Sequence, residues 1–181
     1  MTSFGGIIER YNNNWIDISR CAVLTESFIR KYKDDVDWDG VSQYQQLSES
    51  FIREFADKIN WKKIIYYTDL SDGLIREFHD RLDWNRMSYK KLSISIIREF
   101  ADKVDWDRIY YYYKLDESLI RDFANKVDLE SICGNQKLSE SFIREFADKV
   151  DWNRISYNQS LSEPFIYEFS NKVSWSEISV F

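Results

Sequence analysis

His79 is the only imidazole among 181 residues, so any histidine chemistry must pass through it. A general base needs a nucleophile or substrate proton within reach and an acid to orient the ring, and no such constellation stands out around it. Instead "REFHD" at 76–80 copies "REFAD" at 53–57, 98–102 and 144–148. His79 replaces a small residue (Ala56, Ala101, Ala124 and Ala147 hold that place), which is a structural reading.

The carboxylates recur at fixed spacing and could be taken for acid–base pairs or calcium ligands. "DKVDWDR" at 102–108, however, lacks the glycine and the closing glutamate of an EF-hand loop. Helix capping and solvent-facing charge pairs account for the same columns. Seven tryptophans in register suggest a stacking ladder for bases or sugars, but they travel with buried-type aliphatic residues, which favours core packing. An arginine column, Arg30, Arg53, Arg76, Arg98, Arg121 and Arg144, could grip an anion. An acid four residues on in most copies makes a solvated ion-pair face the better reading. No catalytic, cofactor-binding or metal-binding residue is assigned, and the chain is read as a non-enzyme.

The tyrosines carry the remaining signal. One per connector, as in Tyr66, Tyr89, Tyr111 and Tyr157, is explained by packing, whereas "YYYY" at 110–113 is not. Tyrosine offers large contact area, a hydrogen-bonding tip and little entropy to lose, so Tyr67, Tyr110, Tyr112 and Tyr113 are the candidate partner-binding residues.

These residues are positioned by one repeated unit. "LSESFIREFADKVDW" at 138–152 returns as "LSESFIREFADKINW" at 47–61 and in looser form elsewhere. Copies begin at Leu24, Leu47, Leu70, Leu92, Leu115, Leu138 and Leu161, in steps of 23 residues with one of 22. The second column holds Thr25, Ser48, Ser71, Ser93, Asp116, Ser139 and Ser162, all helix-capping types. An acid usually follows, suited to a helix start, and Pro164 falls where a first helical turn tolerates proline.

Downstream, Phe142, Ile143, Phe146 and Val150 mark one face of a helix of about three turns. Arg144 with Asp148, and Glu145 with Lys149, are the expected charge pairs on its other face. A second set of capping residues, Asn14, Asp37, Asn60, Asp83, Asp105, Asp128, Asp151 and Ser174, precedes each Trp or its one substitute, Leu129. A short helix therefore starts there, carrying an apolar residue three further on. The prediction is an all-α solenoid of stacked two-helix repeats, one longer and one short helix per unit. It forms a single repeat domain over 1–181, with 1–23 an N-terminal cap and Val180 and Phe181 closing the other end. One copy orders too many residues for the apolar surface it buries, so the repetition is what makes a core. A terminal unit lacking a neighbour would offer an apolar end to a second copy of the chain.

Composition bounds the function. Hydrophobic residues make up 44% and charged residues 31%, which suits a folded domain and no membrane span. A net charge of −6 speaks against nucleic acid as partner. Cys21 and Cys133 are far apart and show no metal-binding spacing, so both are expected reduced. The N-terminus lacks the features of a secretory signal, pointing to an intracellular protein.

The unit L-S-E-S-F-I-R-E-F-A-D-K-V-D-W-D-R-I-S-Y resembles tandem repeats in uncharacterised proteins of giant DNA viruses of amoebae, marseillevirus-like ones above all, over residues 24–181. The resemblance implies a viral protein acting in the cytoplasm or nucleus of an infected host cell or packaged in the virion. It brings no activity or site residue with it. The functional expectation is a protein–protein interaction scaffold with a protein partner, no small-molecule substrate and no cofactor; a packaged virion component is the alternative.

Overall fold

The structure is a computed structural model that describes residues 4–178; Val180 and Phe181 lie outside them. Among the described residues every regular element is an α-helix and none is a strand. The chain divides into two compact units, Met1–Met87 and Ser88–Phe181. The first holds α1 (Phe4–Arg10) and α2 (Trp15–Cys21), then the pairs α3 (Glu26–Lys31) with α4 (Trp38–Tyr44), α5 (Glu49–Glu54) with α6 (Trp61–Tyr67), and α7 (Asp72–Glu77) with α8 (Trp84–Met87). The second holds α9 (Ile94–Glu99) with α10 (Trp106–Tyr112), α11 (Glu117–Asp122) with α12 (Leu129–Asn135), α13 (Glu140–Glu145) with α14 (Trp152–Asn158), and α15 (Glu163–Glu168). Helices α2, α4 and α6 pack in series, as do α10, α12 and α14, so the architecture is the stacked helix-pair repeat of an α-solenoid.

The capping columns act as their chemistry requires. Each side-chain oxygen from Thr25 to Ser162 accepts the backbone N–H three residues on, at 2.7–3.4 Å. Asn14, Asp37, Asn60, Asp105, Asp128 and Asp151 cap the second helices by accepting the backbone N–H two or three residues on. Pro164 sits in the first turn of α15. Between α1 and α2, Asn12 and Asn13 take left-handed backbone angles (φ 50° and 58°), a conformation asparagine tolerates better than most residues.

The segment expected as a helix of about three turns is built in two parts. Six α-helical residues, such as Glu140–Glu145, hand over to a turn in which Lys149 and Val150 both donate to the Phe146 carbonyl, at 2.8 and 3.2 Å. The same turn follows Phe123 in the repeat where Leu129 replaces tryptophan, so it is set by the repeat and used by the indole where one is present. Trp152 Nε1–H donates to the Ala147 carbonyl at 2.9 Å, an acceptor that a continuing helix would have given to the N–H of residue 151. Trp38, Trp61, Trp84, Trp106 and Trp175 repeat this bond to the carbonyl five residues back, at 2.9–3.1 Å.

The core follows the columns. Phe28, Phe51, Leu74, Ile96, Leu119, Phe142 and Phe165 are at most 1% exposed, and Val41, Ile64, Met87, Ile109, Ile132 and Ile155 at most 2%. Four tryptophan rings also meet the next repeat: Trp38 with Phe55, Trp61 with Phe78, Trp106 with Phe123 and Trp152 with Phe169, at 4.7–5.0 Å between centroids. In the first unit α2 and α4 approach so closely that a Cβ on Gly40 would lie 3.0 Å from Ser19 Cβ and Arg20 Cγ, which is why glycine stands there.

Candidate interaction surfaces

Three internal ladders tie successive repeats, and none was predicted. The first is a buried glutamine at the C-cap of the short helix. Gln45 Oε1 accepts from Leu24 N–H at 2.9 Å, while its Nε2 donates to the Ser19 and Ala22 carbonyls, both at 2.9 Å. Gln136 does the same for Leu115, Tyr110 and Tyr113, and Gln159 for Leu138, Cys133 and Gln136. A carboxamide is the one neutral side-chain group that matches an N–H and two carbonyls at once. Where it is present the leucine is buried; Leu47, faced by Thr68 at the equivalent place, is only half-buried.

The second ladder is a buried serine, four residues after Trp15, Trp38, Trp84 and Trp152. Ser19, Ser42, Ser88 and Ser156 accept the N–H of Asp37, Asn60, Asp105 and Ser174, at 2.9–3.0 Å. Cys133 occupies the same column, with the Asp151 N–H directed at its sulfur. Its thiol donates to the Leu129 carbonyl, and burial pushes its pKa up to about 11. Cys21, by contrast, is exposed, and both cysteines are free thiols.

The third ladder corrects the expected charge pairs. Arg144 pairs with Glu140, four residues before it, and with Glu168 of the next repeat at 2.8 Å, rather than with Asp148. Glu145 pairs with Arg121 at 2.6 Å and Asp148 with Lys172 at 2.6 Å. Arg30 and Arg53 make the same double contacts in the first unit. The backbone turn after Phe146 carries Asp148 off the helical register, so the pairing runs between repeats. Arg30, Arg121 and Arg144 also lie over Phe51, Phe142 and Phe165 of the following repeat, at 4.9–5.1 Å.

The candidate tyrosines separate into two groups. Tyr67 and Tyr112 are each 58% exposed. Tyr67 accepts from Gln43 Nε2, and Tyr112 packs against Tyr89 and Tyr111. Tyr110 is buried, its hydroxyl donating to Asp107 at 2.9 Å, and Tyr113 is half-buried, its hydroxyl accepting from Leu92 N–H at 3.0 Å in the place that glutamine takes elsewhere. Burial raises the pKa of both phenols. Tyr66, Tyr89, Tyr111 and Tyr157, expected to be packing residues, are instead 51–72% exposed. They stand two residues after the buried apolar position of the short helix, about 200° around it, and that helical phase was legible in the sequence. Arg86 stacks on Tyr66 in the first unit, at 4.6 Å, and Arg108 on Tyr89 in the second, at 3.9 Å. Beside the latter a cleft of about 400 Å³ is lined by Asp107, Tyr111, Ser131 and Asn135 among others.

His79 is half-buried, its carbonyl takes the Trp84 indole N–H, and its Nδ1 lies 3.3 Å from Asp80. Among the described residues no group of three His, Cys, Asp or Glu side chains is placed to hold a metal ion, and no helix is long and apolar enough to cross a membrane. The chain matches no family model, no curated protein and no solved structure.

Proposed function

We propose that the protein is a non-enzymatic interaction scaffold that presents outward tyrosines to a protein partner. The observation that carries this reading is the pairing of exposed tyrosine with a stacked guanidinium, Tyr66 with Arg86 and Tyr89 with Arg108. A ring held in place by an arginine loses little freedom on association, and tyrosine and arginine are the residue types that dominate binding energy at protein interfaces. The ladders beneath support it further, since they fix the short helices before any encounter. The resemblance of the repeat to those of giant amoebal viruses favours a role inside an infected host cell. A photo-crosslinking amino acid at Tyr66 or Tyr112 is expected to capture one common protein from such cells, and the same group at Lys103 is not. Equal capture at all three positions, or none, would overturn the reading.

A further inference from the structure

The arginines that cover exposed tyrosines belong to one column of the short helices. Arg86 and Arg108 stand two residues after Trp84 and Trp106 and lie over Tyr66 and Tyr89 of the preceding repeat. Each is anchored by the capping aspartate three residues before it, Arg86 by Asp83 at 3.1 Å and Arg108 by Asp105 at 2.9 Å. Arg154 keeps the same anchor on Asp151 and reaches Gly134, which stands where the tyrosine stands in the other repeats: a Cβ there would lie 3.4 Å from Arg154 Nη1.

In α12 this arginine is replaced. Ser131 stands two residues after Leu129, and its hydroxyl donates to the capping Asp128 at 2.6 Å. Tyr111, the tyrosine of the preceding repeat, is 66% exposed, against 53% and 51% for the arginine-covered Tyr66 and Tyr89. The cleft of about 400 Å³ lined by Tyr111 and Ser131 opens at this place.

The walls of the cleft suit a cation. Tyr111 is braced edge-on by Tyr112 at 5.0 Å, and Tyr112 packs in turn on Tyr89. Asp107 is exposed beside them and accepts from the neutral Tyr110 hydroxyl, so its charge is kept. The guanidinium that lines the cleft, Arg108, is engaged by Asp105 and Tyr89. A tyrosine face beside a carboxylate is the pairing that attracts a guanidinium, through the ring quadrupole and the ion pair together.

We propose that the protein partner of the tyrosine face carries an arginine that enters this cleft, its guanidinium over the Tyr111 ring and paired with the Asp107 carboxylate. It takes on Tyr111 the place that Arg86 and Arg108 take on Tyr66 and Tyr89. The inference rests on the tyrosine reading above and names the chemistry of that partner. Lysine fits less well, because an ammonium has no flat face to stack on the ring.

The test titrates the 181-residue protein with the acetylated, amidated peptide Gly-Ser-Arg-Ser-Gly and follows the Tyr111 ring protons by NMR. Saturable shifts are expected, with a dissociation constant on the order of 10 mM or tighter. The same peptide with citrulline, which keeps the shape and loses the charge, should bind at least about fivefold more weakly. Asp107→Asn keeps an acceptor for Tyr110 and should weaken binding about threefold. Ser131→Arg restores the column's own arginine and should abolish binding, while its thermal melt matches the parent. Absence of saturation, equal binding of the citrulline peptide, or undiminished binding by Ser131→Arg or Asp107→Asn would overturn the proposal. Crosslinked capture at Tyr66 together with a failed titration would remove this inference and leave the tyrosine reading, so the two failures are told apart.

Discussion

The carboxamide of Gln136 reaches back 21 residues to accept the Leu115 N–H at 3.1 Å, and with its other end it holds the carbonyls of Tyr110 and Tyr113 at 2.6 and 2.7 Å. One side chain thus closes the connector between two repeats. Gln136→Leu keeps the volume and leaves one N–H and two carbonyls without that partner, so it should destabilise the protein by about 2–4 kcal/mol. Urea denaturation at neutral pH reads the loss, and a midpoint within error of the parent would refute the clip.

The converse change is available at Thr68, which stands where glutamine stands elsewhere. Thr68→Gln should engage the Leu47 N–H and the Ser42 and Gln45 carbonyls and add about 1 kcal/mol. The measurement is the thermal midpoint, expected to rise, with slower amide exchange at Leu47. A lower midpoint would show that the side chain cannot enter the turn.

Acid should loosen the stack through the glutamate ladder. The Ser162 N–H and hydroxyl, against the opposing effect of burial, hold the Glu140 carboxyl below its ordinary value of 4.5, and Lys172 holds Asp148 below 3.8. A carboxyl with a depressed folded pKa contributes stability above its unfolded pKa and loses it as pH falls through the folded one. Stability should therefore be flat from neutrality down to about pH 5 and fall below about pH 4.5. Glu140→Gln should lower the plateau and reduce the slope, and an unchanged slope would exclude this residue as a contributor.

Thiol chemistry separates the two cysteines. With Cys133 buried and its pKa raised to about 11, iodoacetamide at pH 8 should alkylate Cys21 and spare Cys133 in the folded protein, as peptide mass spectrometry would show. Cys133→Ser places in this column the hydroxyl that Ser19, Ser42, Ser88 and Ser156 already supply. It should change stability by less than about 1 kcal/mol. Rapid native modification of Cys133 would contradict its place in the ladder.

The sequence by itself determined the repeat, its two capping columns and the aliphatic and phenylalanine columns of the core. These are local matters: an Asp or Ser oxygen caps the N–H two or three residues on, and apolar side chains recurring at helical spacing share a face whatever lies opposite. It singled out Tyr67, Tyr110, Tyr112 and Tyr113 together, without separating the exposed Tyr67 and Tyr112 from the buried Tyr110 and half-buried Tyr113. Tertiary structure decided the rest. Arg144 chose Glu168 over Asp148 because the turn at Phe146 breaks the helical register, and Tyr113 turned inward because the Leu92 N–H lay within reach of its hydroxyl. Gln45, Gln136 and Gln159 looked like ordinary connector residues until the preceding repeat was set beside them. Their partners lie 21 to 26 residues away, and only the stacking of one repeat on the next brings those backbone groups within hydrogen-bonding distance.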